Sequence, residues 1–171
     1  MPKNLQIKPR KGFKENIDRI VPAMLKEFRS RLPETPRSEN VALHLHRSRL
    51  AGKPLRYLME TVAPLYGKEF NDALREVKQL LEILGKIHDC DVAMGILSEI
   101  LIELPGSSKV SEEPPVDRAA TVSLLESIVA IQETEKMRLT NLLYEMLARW
   151  DEERFVTWVS STMKLNKVTA R

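Results

Sequence analysis

Four side chains that can carry positive charge recur at helical spacing within HLHRSRLAGKPLRYLME, residues 44–60. A helix with about 100° per residue places them within an arc of about 80° and along about 15 Å of its axis. Arg gives forked hydrogen bonds to oxygen atoms, Lys gives a mobile point charge, and His adds a donor that strengthens on protonation. The pattern favours a surface that binds phosphates or another anion over a basic face that serves only solubility. Its members are His46, Arg49, Lys53 and Arg56, with Tyr57 and Glu60 beside them.

The histidines in this segment argue against a metal. His44 and His46 are two positions apart, so a helix directs their rings about 160° away from each other and they cannot share one ion. His44 falls on the side of Ser48 and Leu55, which predicts a buried structural histidine. His46 lies among cations, which repel a divalent metal. We therefore expect no metal site and no cofactor here.

A second basic stripe is predicted on the following helix. Arg75, Lys78 and Lys86 fall on one side of it, opposite Val77, Leu80 and Leu84. Two such stripes on antiparallel neighbours would form a basic groove. Glu60 and Glu82 lie inside the stripes, where a carboxylate stays ionised and orients cations rather than acting as a general acid.

Length and composition set the frame for this surface. The chain has 171 residues, of which 43% are hydrophobic, enough for one packed domain. Cys90 is the single cysteine, no apolar run approaches the roughly 20 residues that span a bilayer, and the N-terminus lacks the apolar core of a signal peptide. We therefore expect a cytoplasmic protein that does not contact membranes.

The charge distribution is uneven. Residues 1–60 hold 14 Lys and Arg against 6 Asp and Glu, whereas residues 89–117 hold 1 against 7, and the net charge of the chain is only +3. Such asymmetry can create an anion-attracting face on a nearly neutral molecule.

Helical periodicity without strand alternation predicts an all-α protein, an antiparallel bundle of about six helices. The predicted helices cover about 13–31, 39–66, 68–87, 92–104, 117–150 and 152–164. Asp89 or Asp91 of the HDCD segment is expected to cap the fourth, and Phe13 and Trp158 are expected to face the core. The chain then divides into a basic lead-in (1–12), one helical domain (13–164) with a flexible loop (105–116), and a frayed tail (165–171).

Three motifs together resemble the CHAD family, the conserved histidine α-helical domain. They are H-x-x-R-x-x-x-K-x-x-R-Y-x-x-E at 46–60, APLYG at 63–67, and L-G-x-x-H-D-x-D-V at 84–92. The match is good over about 39–100 and extends by helix order over 13–163. The resemblance implies a helical bundle that binds inorganic polyphosphate without making or cleaving it. It also implies association with polyphosphate- or triphosphate-metabolising enzymes, and a location at polyphosphate granules.

Carried over by position, the resemblance makes His46, Arg49, Lys53 and Arg56 the polyphosphate ligands. Further contributors on the same basic surfaces would be Tyr57, Arg75, Lys78, Lys86 and His88, and Asp89 and Asp91 would be structural. Members of the family usually carry two copies of the motif unit, whereas the segment EKMRLTNLLYEMLARW has no histidine and no comparable basic stripe. Three solutions stay open: half a site suffices, two chains form a weak homodimer, or the lead-in with Lys3, Lys8, Arg10 and Lys11 completes the site.

Two other functions remain as alternatives. A nucleic-acid-binding bundle fits the basic face, but Tyr57 is the one aromatic residue in the stripe that could stack on bases. A metal-binding domain or hydrolase would have to use His88, Asp89 and Asp91, next to Lys86. The sequence shows no nucleophile with a neighbouring base, no glycine-rich phosphate loop and no cysteine pair, so we expect a binding module rather than an enzyme.

Overall fold

The computed structural model describes residues 6–35, 40–103, 118–150 and 152–165, most of which lie in helices. The helices are α1 (Phe13–Ser30), α2 (Val41–Val62), α3 (Lys68–Glu103), α4 (Arg118–Arg149) and α5 (Glu152–Leu165), with a 3-10 turn at Ala63–Leu65. Helices α1, α2, α3 and α5 contact one another in a ring, as a four-helix bundle, and α4 packs along the outside of α3. The predicted all-α class is confirmed. The predicted loop 105–116 and residues 166–171 of the predicted tail lie outside the described residues.

The described residues contain five α-helices rather than about six, because the predicted break at HDCD is wrong. Helix α3 runs through this segment without interruption for 36 residues. No Gly or Pro interrupts it there, and the polar side chains find partners other than a helix end. The side chain of Cys90 is buried in the core, and Asp91 Oδ1 lies 2.5 Å from Lys136 Nζ of α4. These contacts with α4 outweigh the capping preference of aspartate.

Three helices come close together at Gly52, which is buried in the middle of α2. A Cβ atom at this position would overlap the side chain of Leu81 on α3 and would lie 2.8 Å from the ring of Phe28 on α1. Glycine therefore allows three helices to meet at one point. The largest fully buried side chains of the core include Phe28, Phe70, Leu25, Leu55, Met59, Leu80, Leu84 and Ile87.

The turn between α2 and α3, which contains the APLYG segment, is bound to α1 through Tyr66. The hydroxyl of Tyr66 donates a hydrogen bond of 2.8 Å to Asp18, and Lys14 Nζ lies 4.7 Å from the centre of the Tyr66 ring. Burial raises the pKa of Tyr66, and the hydrogen bond to Asp18 raises it further. Lys14 also donates to the carbonyl of Met163, so one network joins α1, the turn and α5.

Two expected core residues lie at the surface. Phe13 is 65% exposed, because it opens α1 and the buried Asn16 holds the preceding segment through hydrogen bonds to Lys8, Lys11 and Gly12. Trp158 is 36% exposed, at the edge of the α5 face that buries Phe155 and Val159. The prediction that Phe13 and Trp158 face the core is therefore wrong. In both cases a neighbouring residue of the same helix occupies the position nearest the core.

Substitution of Gly52 by Ala is expected to destabilise the fold by about 1 to 3 kcal/mol, because the added methyl group must displace Leu81 or Phe28 in a packed core. The measurement is the free energy of unfolding from denaturant titration. Gly95→Ala is the matched control, since a Cβ atom there meets nothing within 4 Å. It should stabilise α3 by up to about 1 kcal/mol. Equal effects of the two substitutions would contradict the close helix approach at Gly52.

Candidate anion-binding site

Helices α2 and α3 run antiparallel, and their contact brings residues far apart in sequence into opposite pairs. The rings of His46 and His88 lie with their centroids 4.8 Å apart and tilted by 47°. One turn along, Arg49 Nε lies 3.8 Å from where a Cβ atom of Gly85 would be. Farther along, Lys78 Nζ forms an ion pair of 2.8 Å with Glu60. We call this line the basic seam; its members are His46, Arg49, Lys53 and Arg56 of α2 with Lys78 and His88 of α3.

The two ends of the basic seam differ in charge balance. At one end, Glu60 pairs with Lys78 and lies 4.0 Å from Arg56 Nε, so one carboxylate serves two cations. Toward the other end, no carboxylate of a described residue forms an ion pair with Arg49 or Lys53, both of which are half-buried. Cations without nearby carboxylates repel one another in a partly desolvated site. This end of the seam is therefore the part that an added anion would stabilise most.

Tyr57 contributes to the site through its neighbour. The guanidinium carbon of Arg56 lies 4.7 Å from the centre of the Tyr57 ring, a cation–π geometry that holds the Arg56 side chain in place. The Tyr57 side chain is itself 54% exposed. Arg56 Nε is buried and makes no hydrogen bond within the part of the chain that the structure describes. The Tyr57 ring and Glu60 thus hold the Arg56 side chain in place, and its Nε–H can still donate a hydrogen bond to a ligand.

The structure does not bring all predicted residues of α3 to the seam. Lys86 pairs with Glu82 at 2.8 Å and lines a groove between α3 and α4, away from α2. Arg75 pairs with Asp72 at 2.7 Å and is largely exposed. Lys78 and His88 are the two cation-capable residues of α3 for which contacts with α2 are seen. The exposed side of α3 lies between α2 and α4. A helical wheel cannot tell which exposed residues face α2 and which face α4.

His44 is exposed, so the prediction of a buried structural histidine is wrong. The core side of the first turn of α2 is occupied by Leu45. One turn later, the hydroxyl of Ser48 donates a 2.8 Å hydrogen bond to the carbonyl of Arg31, just beyond the end of α1. His44 therefore lies past the point where α1 covers α2.

The alternative of a metal site finds no support in the geometry of HDCD. Asp91 is paired with Lys136 of α4, Asp89 is exposed, and the ring of His88 faces His46. Among the described residues, no group of three or more His, Cys, Asp or Glu side chains is placed to hold a metal ion. Burial raises the pKa of the Cys90 thiol, and nearby carboxylates, of which Glu135 contributes most, raise it further. A thiol held protonated in this way is a weak nucleophile.

Sequence reasoning missed two features of the surface. The His46–His88 contact depends on the register between α2 and α3, which neither helix specifies alone. The groove beside Lys86 also contains Arg138 and Arg149 of α4, which were not predicted to lie near Lys86. Among the described residues, no helix combines the length and the apolar composition that a membrane span requires.

Comparison with known proteins gives one match. The family model for the CHAD domain matches residues 3–98, which is 96 of the 171 residues, contains the whole basic seam, and ends within α3. Searches among curated proteins and among solved structures find no match to this chain.

The three histidines of the chain allow a direct test of the seam. We expect added pyrophosphate to shift the imidazole NMR signals of His46 and His88. Both rings lie at the end of the seam near Arg49, which forms no ion pair with a carboxylate of the described residues. The exposed His44 should keep its signal, and a His44→Gln variant assigns it. Equal shifts of all three signals would indicate unspecific binding and contradict the site.

Proposed function

The chain belongs to the CHAD domain family, and from this membership and the geometry of the basic seam we propose that it binds inorganic polyphosphate without cleaving it. Polyphosphate carries charge along its whole length, so a row of cations can contact several phosphates of one chain. The observation that carries the proposal is the run from His46 through Arg49 to Lys53, beside His88, which no carboxylate of the described residues neutralises.

The seam favours a polymer over a single phosphate. Residues 46–56 extend about 15 Å along α2, so successive phosphates of one polymer can meet successive side chains. The entropic cost of association then arises once and is shared among all contacts. Orthophosphate would engage one or two side chains and gain correspondingly less.

The two ends of the seam are proposed to act differently. The end with His46, Arg49 and Lys53 binds most strongly, because no internal ion pair has to be broken there. At the other end, Glu60 competes with the ligand for Arg56 and Lys78. Glu60 therefore orients these two cations and limits how far the polymer extends along the seam.

Binding without catalysis fits the residues that border the seam. Among the described residues, Glu60 is the carboxylate that pairs with cations of the seam, and its ion pair of 2.8 Å with Lys78 leaves it poorly placed to transfer protons. A role next to polyphosphate- or triphosphate-metabolising enzymes, and a cytoplasmic location at polyphosphate granules, follow as parts of the same proposal.

The first test of the proposal is the choice of ligand. We expect long-chain polyphosphate to bind far more tightly than orthophosphate, and its affinity to fall steeply with salt because many charge contacts form together. Isothermal titration at two salt concentrations measures both effects. Single-stranded DNA is the comparison ligand, and it should bind more weakly because the seam lacks a row of exposed aromatic rings. Equal affinity for orthophosphate and polymer would refute the proposal, and tighter binding of DNA would replace it with the nucleic-acid alternative.

The second test compares two arginines on α2. Arg49→Gln should weaken polyphosphate binding by about tenfold or more, because a charged hydrogen bond to an anion is worth about 1.5 to 3 kcal/mol. Arg47→Gln is the matched control, since Arg47 is exposed and lies two positions away, on another side of the helix. Thermal melts should show both variants folded. A loss of affinity in Arg47→Gln as large as that in Arg49→Gln would show that general charge, not the seam, determines binding.

A further inference from the structure

The rings of His46 and His88 form a contact whose charge depends on pH. Their centroids lie 4.8 Å apart, their planes are tilted by 47°, and both side chains are half-buried. Imidazole ordinarily gains and loses its proton near neutral pH. A neutral ring packs against a neutral or a charged ring without electrostatic repulsion, whereas two imidazolium rings at this distance repel each other. A proton on one ring therefore opposes a proton on the other.

No carboxylate of the described residues forms an ion pair with either ring. Asp91 of α3 is engaged by Lys136 of α4, and Asp89 is exposed and lies about 100° around α3 from His88. A nearby carboxylate would favour the charged form of a histidine. Within the described part of the chain, the pair thus lacks an internal anion that would stabilise two protons.

The charged group that borders the pair is a cation. Arg49 follows His46 by about one turn of α2, and its Nε lies 3.8 Å from where a Cβ atom of Gly85, three residues before His88, would be. Other titratable or charged groups near the pair point to other sides of their helix or are held in internal ion pairs. They are His44 and Arg47 on other sides of α2, Arg31 of α1 with Glu27, Lys86 of α3 with Glu82, and Lys136 of α4 with Asp91.

We propose that the His46–His88 pair couples anion binding at the basic seam to the uptake of a proton. This inference rests on the proposed function and concerns the regulation of the same site. A polyphosphate chain beside both rings supplies the negative charge that the described protein does not, and it accepts a hydrogen bond from each imidazolium. The second proton comes from the solvent, is held on a ring nitrogen while the anion is bound, and returns to the solvent when the anion leaves.

The direction of the pH dependence follows from this proton balance. Because the complex holds more protons than the free protein, a lower pH favours the complex, and the effects of proton and anion on each other are equal in size. Polyphosphate therefore binds more tightly as the pH falls through the range in which imidazole takes up its proton.

A pH range from about 5.5 to about 7.5 isolates the contribution of the histidines. Burial raises the pKa of the Cys90 thiol, and the hydrogen bond from Lys86 lowers the pKa of Glu82, so these two groups near the pair titrate farther from neutral pH. Long-chain polyphosphate keeps a constant charge on its internal phosphates, since only its terminal groups take up a proton in this range. A change in affinity then reports on the protein.

Isothermal titration of the full-length chain with long-chain polyphosphate tests the coupling. We expect the affinity at about pH 5.5 to exceed that at about pH 7.5 by roughly tenfold, because each proton taken up changes the affinity by up to tenfold per pH unit. Titrations in buffers with different enthalpies of ionisation count the protons taken up. Equal affinity at the two pH values would overturn this inference and leave the proposed function intact, whereas the absence of binding at both would overturn both.

Matched histidine substitutions locate the source of the pH dependence. His44→Gln, at an exposed position outside the seam, should keep both the pH dependence and the proton uptake. The double variant His46→Gln, His88→Gln should lose most of the proton uptake and bind with similar affinity at the two pH values, with thermal melts showing both variants folded. A double variant that retains the pH dependence of the unmodified chain would show that the ring pair is not its source.

The contact between the rings can also be tested without a ligand. In an NMR titration of the unmodified chain, the signals of His46 and His88 should change over a wider pH range than that of His44, because coupled groups take up their protons in two separate steps. In His46→Gln, the signal of His88 should follow the curve of a single group. If His46 and His88 already titrate as independent single groups in the unmodified chain, the rings do not oppose each other's protonation and the proposal is wrong.

Discussion

The close approach of α2 to α3 at Gly52 is the constraint on which the candidate site depends. Because Leu81 and Phe28 occupy the space where a side chain at position 52 would lie, the register between the helices is fixed at their middle. That register sets which side chains meet on either side of it: the His46–His88 ring contact toward one end and the Glu60–Lys78 ion pair toward the other. The site is therefore a consequence of core packing, although its own residues are polar.

Sequence reasoning succeeded where local periodicity decides the outcome and failed where tertiary contacts do. The common face of His46, Arg49, Lys53 and Arg56 follows from helical geometry alone. The contacts of His46 and Arg49 with α3, and of Arg56 with Glu60, agree with it. The break at HDCD was wrong because contacts with α4 and the core hold that segment in a helix. Which side of α3 contacts α2 depends on the packing of the helices, which a helical wheel does not show. The wheel therefore could not predict that Lys78 faces α2 while Lys86 faces α4.

The charge balance of the seam has an energetic consequence for the fold. Arg49 and Lys53 lie half-buried without a pairing carboxylate among the described residues, so their mutual repulsion lowers the stability of the folded state. A bound anion removes that repulsion and stabilises the folded state in proportion to its concentration and affinity. Local arrangements that reduce stability in isolation are typical of binding sites, where a ligand supplies the missing partner. Lys78 shows the contrast, because Glu60 already provides it with an anionic partner within the protein.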